Sequence, residues 1–131
     1  MTILVAYVPR PEGQAALDKG IEIAKRRSEH LVVVNASPGG REVDPSAVDV
    51  IDAERVQQLL DRSGLSAEFK QLKRGKSAPE EIGALVDAMR VSLLVIGLRK
   101  RTAIGKLIMG SVAQELLLGV SCPVLTVKAG G

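Results

Sequence analysis

The sequence predicts an α/β domain, a parallel sheet with helices on both faces. Three observations carry this. Five short apolar stretches alternate with four stretches of helical period, the pattern of parallel strands joined by crossover helices. Two of the apolar stretches, residues 31–34 and 93–96, are unbroken by any polar side chain, as strands covered on both sides are. With 131 residues and 46% hydrophobic content, residues 1–131 form one domain. A chain of this size buries roughly two thirds of its unfolded surface.

In chain order, residues 2–7 read as the first strand. Pro9, Arg10, Pro11 and Gly13 break it, and Pro11-Glu12 suits the start of a helix. Leu17, Ile21 and Ala24 recur at i, i+4 and i+7, so this helix runs to about Arg27, ending on Lys25, Arg26 and Arg27, which suit its negative dipole end. Residues 31–34 make the second strand, followed by Asn35-Ala36. Ser37-Pro38-Gly39-Gly40 is the strongest breaker cluster and opens a loop to about Ser46, read as a mobile lid. The second helix carries Val56, Leu59 and Leu60 on one face, with Val48 and Ile51 upstream. Residues 65–72 then alternate, and their charges suit an edge strand.

Ser77-Ala78-Pro79-Glu80 is a capping box. Behind it Ile82, Leu85, Val86 and Met89 form the clearest amphipathic helix. The fourth strand, 93–96, is expected to stop at Gly97, where a basic loop with Arg99, Lys100, Arg101 and Lys106 begins. Gly110-Ser111 opens the last helix, in which Val112, Leu116 and Leu117 follow at helical spacing. Val124–Lys128 is the last strand, and the chain ends on a frayed Ala129-Gly130-Gly131.

Composition narrows the function. Aromatics are only 2%, so stacking platforms for single strands or flavin rings are nearly excluded. A net charge of +3 does not by itself predict nucleic-acid binding. One cysteine, Cys122, cannot form an internal disulfide and fits a reducing compartment. With no apolar run of transmembrane length and no basic leader before the first strand, a cytoplasmic location is expected. The single histidine, His30, stands far from Cys122, so no metal cluster is visible. Gly105-Lys106 lacks the hydroxyl residue and the earlier glycine of a Walker loop. No catalytic constellation is visible either.

The stretch from Ile96-Gly97 to Gly110-Ser111 is the informative one. A buried strand, a glycine, a basic loop and a Gly-Ser helix start together make an anion pocket, because the free N–H groups and positive dipole end of a helix attract negative charge. The same glycines also fit a plain strand-to-helix connection whose charges face water.

Gly97, then Gly110-Ser111 thirteen positions later, followed by Cys122-Pro123-Val124-Leu125, resembles the universal stress protein family. That family's signature is Gly, two residues, Gly, nine residues, Gly, then Ser or Thr. Here the spacing fits and three of the four positions match, with Lys100 standing at the second glycine. Residues 3–7 also resemble the family's first strand, so the likeness covers essentially the whole chain.

The resemblance implies a five-stranded open sheet of order 3-2-1-4-5. Strands 1 and 4 are then neighbours whose following helices lie on opposite faces, a switch point at which open α/β sheets bind ligands. It implies an ATP- or AMP-type adenine nucleotide there, with magnesium only if ATP is bound. Carried over by position, the family's nucleoside-holding aspartate falls on Val8, at the end of the strand containing Ala6. The adenine side falls near Ala36, and the phosphate side on Gly97, Lys100, Gly110, Ser111 and Val112, with Arg99 beside them. The Val8 side chain has no acceptor, so roughly 1.5–3 kcal/mol of charge-assisted contact is missing. The resemblance further implies a homodimer through the last strand and a stress-response regulator with slow hydrolysis at most, without membrane or nucleic-acid partners. The alternative is a dimeric interaction module with a degenerate cleft.

Overall fold

The computed structural model describes residues 1–36, 48–72, 77–100, 107–108 and 110–129. The expected lid, the cations Arg101 and Lys106 and the terminal Gly130-Gly131 lie outside the described residues. Strands β1 (Thr2–Ala6), β2 (His30–Ala36), β3 (Ala67–Leu72), β4 (Val91–Lys100) and β6 (Val124–Lys128) alternate with helices α1 (Pro11–Arg27), α2 (Val50–Arg62), α3 (Ala78–Ala88) and α4 (Ser111–Gly119). All five strands are parallel, in the order β3-β2-β1-β4-β6, which is the predicted 3-2-1-4-5. A two-residue strand, β5 (Leu107–Ile108), pairs antiparallel with the end of β4.

Side chains alternate across this sheet, so it separates two cores. Ile3, Val5, Leu31, Val33 and Val95 face α1 and α2, packing on Leu17, Val56 and Leu60. Leu4, Val32, Val34, Leu94 and Ile96 face the other way, against Ile82 and Val86 of α3 and Leu116 of α4. Helices α1 and α4, which follow the neighbouring strands β1 and β4, therefore cover opposite faces.

Local chemistry accounts for the helix starts. Pro11 occupies the first turn of α1 together with the acidic Glu12. The Asp49 carboxylate accepts the Asp52 N–H at 2.8 Å and caps α2. The Ser77 hydroxyl accepts the Glu80 N–H at 3.4 Å and donates to the Glu80 carboxylate at 3.1 Å, so the capping box closes side chain to side chain.

Three expectations are corrected. Strand β4 does not stop at Gly97. It continues beside β6, with Gly97 opposite Val127 and Leu98 opposite Lys128, and then beside β5, with Arg99 opposite Ile108 and Lys100 opposite Leu107. Ladder pairing, with the distant β6 at Gly97 itself, outweighs the local breaking tendency of glycine. Arg99 and Lys100 are thus strand residues rather than loop residues. In α2, Val48 is buried ahead of the helix, but Ile51 is 80% exposed, because the inward line runs through Ala53, Val56 and Leu60. In α4 the inward line is Ala113, Leu116 and Val120, which leaves Val112 and Leu117 outside.

Candidate functional site

At the carboxyl ends of β1, β2 and β4 the sheet opens into a cleft of about 620 Å³. That volume lies within the range of small-ligand pockets. A hydrogen-bond network holds the exit of β1, and Tyr7 and Val34 of that network line the cleft. The Tyr7 N–H donates to the Val34 carbonyl at 2.8 Å, prolonging the β1–β2 pairing by one residue. Asn35, buried, donates from Nδ2 to the Tyr7 carbonyl at 3.0 Å and accepts the Val48 N–H at 3.3 Å. One amide thus ties together the ends of β1 and β2 and the approach to α2. The Tyr7 ring packs edge-on to Phe69, with centroids 6.3 Å apart. Its hydroxyl donates to Asp52 at 2.8 Å and accepts from Arg55 at 2.8 Å. Burial, then the hydrogen bond to Asp52, pushes the Tyr7 phenol up to about 12, with Arg55 opposing. This phenol is a structural strut rather than an acid or nucleophile at neutral pH.

Past Tyr7 the chain turns sharply. The Arg10 N–H donates to the Val8 carbonyl at 2.8 Å, and Gly13 lies so close that any Cβ there would overlap that carbonyl. The turn delivers α1 against β4, where a Cβ on Gly97 would overlap the Glu12 carbonyl. Glu12, 8% exposed, then meets Arg99, whose Nε lies 3.1 Å from Glu12 Oε2.

The opposite wall is the start of α4. Gly110 is its N-cap and offers no side-chain cap. The first bond of the helix runs from the Gln114 N–H to the Gly110 carbonyl at 3.0 Å. The N–H groups of Ser111, Val112 and Ala113 therefore precede the ladder. Among the described residues, a Cβ on Gly110 would meet nothing within 4 Å.

Ala6, Val8, Ala36, Gly97, Arg99, Gly110, Ser111 and Val112 all line this one cleft. Lys100 is placed as the last residue of β4, and its side chain lies outside the described part. Sequence reasoning passed over Arg10, Glu12, Gly13, Ser77, Pro79 and Ile82, which also line it. It took Pro11-Glu12 and Ser77-Ala78-Pro79-Glu80 as helix starts only. The signal was available, since in a parallel sheet the segment after each strand lies at the ligand-binding end. Among the described lining residues the charges balance, Arg10 and Arg99 against Glu12 and Glu115.

Elsewhere Cys122 is half-buried, and its burial pushes the thiol up, away from nucleophilic use. Among the described residues no group of His, Cys, Asp and Glu side chains is arranged to hold a metal, and no helix is long and apolar enough to cross a membrane.

The comparisons with known proteins agree with one another. A family model described as "Universal stress protein family" matches residues 1–128. A protein of Mycolicibacterium smegmatis named universal stress protein is 43% identical over 129 residues, spanning 98% of each chain. Among solved structures, a universal stress protein from Archaeoglobus fulgidus superposes with a TM-score of 0.77 at 31% identity, covering 97% of both chains. Another structure of the universal stress protein from that organism, in complex with dAMP, gives a TM-score of 0.70 at 24% identity, covering 97% of this chain and 96% of that one.

Proposed function

The chain belongs to the universal stress protein family, and on that premise we propose that it binds an adenine nucleotide of the ATP or AMP type in the switch-point cleft and acts as a cytoplasmic stress-response regulator. The observation that carries the reading is the bare start of α4. The N–H groups of Ser111 and Val112 precede the helix ladder, and both residues line a cleft of nucleotide size together with Gly97 and Gly110. Backbone donors at the positive end of a helix favour a phosphate. The dAMP in the Archaeoglobus fulgidus structure supports the choice of ligand class. Magnesium accompanies the ligand if it is ATP, and hydrolysis is slow at most.

A second reading has its own support. Val8 places no acceptor where a nucleoside hydroxyl would look for one, and the described charges of the cleft cancel. On that reading the cleft is degenerate and the domain works as a dimeric interaction module.

Mass spectrometry of small molecules released by denaturing the purified protein, followed by calorimetric titration with AMP, ATP and adenosine, separates the two. The first reading expects a released adenine nucleotide or a saturable titration. An empty protein that titrates with none of the three establishes the second.

A further inference from the structure

We propose that Glu12 is a positioning residue that aims the Arg99 guanidinium at the phosphate of the bound nucleotide, an inference that rests on the nucleotide reading above. Residues two apart on a strand share a face, so Gly97 and Arg99 of β4 both look toward α1. Gly97 has no side chain, and the Glu12 main chain lies against it. The Glu12 carboxylate is thereby delivered two residues further along the strand, where it forms an ion pair with Arg99, its Oε2 3.1 Å from Nε.

The choice of nitrogen matters. A guanidinium has five N–H donors in a fixed plane, and a carboxylate bound at Nε leaves the four on the two Nη atoms for another acceptor. Glu12 is 8% exposed and fixed in the first turn of a 17-residue helix, while the Arg99 side chain is 57% exposed and lines the same cleft as Gly110, Ser111 and Val112. The guanidinium is thus paired with a carboxylate fixed in protein, on an exposed side chain whose residue also lines the cleft. The strand position of Arg99, paired with Ile108, fixes the base of the side chain as well. An exposed arginine on a loop would lose rotamer freedom on meeting a phosphate, whereas this one has already lost much of it. The competing role for Glu12 is the reverse, a carboxylate that neutralises Arg99 and repels the ligand.

The test compares AMP with adenosine by calorimetry on the full chain, with thermal melts to check folding. The unmodified protein is expected to prefer AMP. Glu12→Ala and Arg99→Ala should each cut that preference about tenfold, as for loss of one charge-assisted hydrogen bond, and the double variant should lose little more. Glu12→Gln keeps an acceptor for Nε–H and should retain most of the preference, which a merely electrostatic role would not. Arg99→Lys keeps the charge but lacks the anchored fork, and it should lose the preference even if Glu12→Ala fails to fold. Tighter or unchanged AMP binding by Glu12→Ala makes the carboxylate a competitor or a bystander and overturns the inference alone, as does equal affinity of the unmodified protein for AMP and adenosine. Absence of binding to either ligand overturns the nucleotide reading and this inference together.

Discussion

Gly97 on β4 and Glu12 at the start of α1 meet backbone to backbone, so that a Cβ on residue 97 would overlap the Glu12 carbonyl. The contact closes the gap between the central strands and the helix that forms one wall of the cleft. Neither a ladder strand nor a helix start moves aside easily. Gly97→Ala is therefore expected to cost about 1–3 kcal/mol, the usual range for overpacking, and to widen the cleft at its β4 end. Urea unfolding measures it. A change within about 0.5 kcal/mol, the usual scatter of surface substitutions, would mean that the helix shifts freely.

The Tyr7 phenol predicts an alkaline limit to stability. Its ordinary value is 10.0, and in the folded chain it stands at about 12. Between these values the folded state holds a proton that the unfolded state has released. Stability is thus fully present below pH 10 and falls as pH rises from 10 to 12. Tyr7→Phe removes the hydrogen bonds to Asp52 and Arg55, at a cost of about 0.5–1.5 kcal/mol per bond near neutrality. It also removes the titration. Urea midpoints of the two proteins should accordingly lie apart at about pH 8 and converge toward about pH 11.5. An equal separation at both values would show that Tyr7 does not titrate with unfolding.

What could be read in the chain and what could not follow one physical division. Helix α1 and strand β6 were legible to the residue, because Pro11, the spacing of Leu17, Ile21 and Ala24, and the run Val124-Leu125-Thr126-Val127 are local signals. The extension of β4 through Gly97 was not legible. It depends on pairing with Val127 and Lys128, far along the chain, and then with Ile108 and Leu107 of β5, which carry no strand signal of their own. The same holds at the cleft. Glycines with a fixed spacing pointed to Gly97 and Gly110, but the ion pair of Glu12 with Arg99 joins residues from the two walls of a switch point. Only the order of the strands brings them together. Likewise, nothing local marks Asp52 and Arg55 as partners of Tyr7.

We propose a homodimer through strand β6. Among the described residues it pairs on one side only, with β4, and its Val124, Leu125 and Val127 side chains are half-buried. An edge with apolar side chains and unpaired backbone groups tends to be covered, and a second copy of the strand satisfies it symmetrically. Lys128 is the strand's one charged residue and stands at its end, so no charge interrupts the run from Val124 to Val127. Val124→Lys or Leu125→Lys should convert a dimer to monomers in sedimentation velocity. A monomeric unmodified protein at high concentration would overturn the dimer.

The start of α4 gives the most direct separation of binding from folding. Gly110 has φ −65° and ψ 161°, a conformation open to any residue, and among the described residues a Cβ there meets nothing within 4 Å. Neither backbone strain nor packing against the described residues therefore requires glycine at this position. Replacing a glycine N-cap by an apolar residue costs about 1 kcal/mol or less of helix stability, which leaves the fold intact. The added atoms project where a phosphate would approach the N–H groups of Ser111 and Val112, however, and the attraction of a helix end for an anion is only about 0.3–1 kcal/mol and falls off within one turn. A graded loss is expected: Gly110→Ala weakens AMP binding, and Gly110→Val abolishes it, while adenosine binding suffers less. Calorimetry and urea unfolding on the same samples read both effects. If Gly110→Val binds AMP as the unmodified protein does, the phosphate end lies elsewhere than at the start of α4.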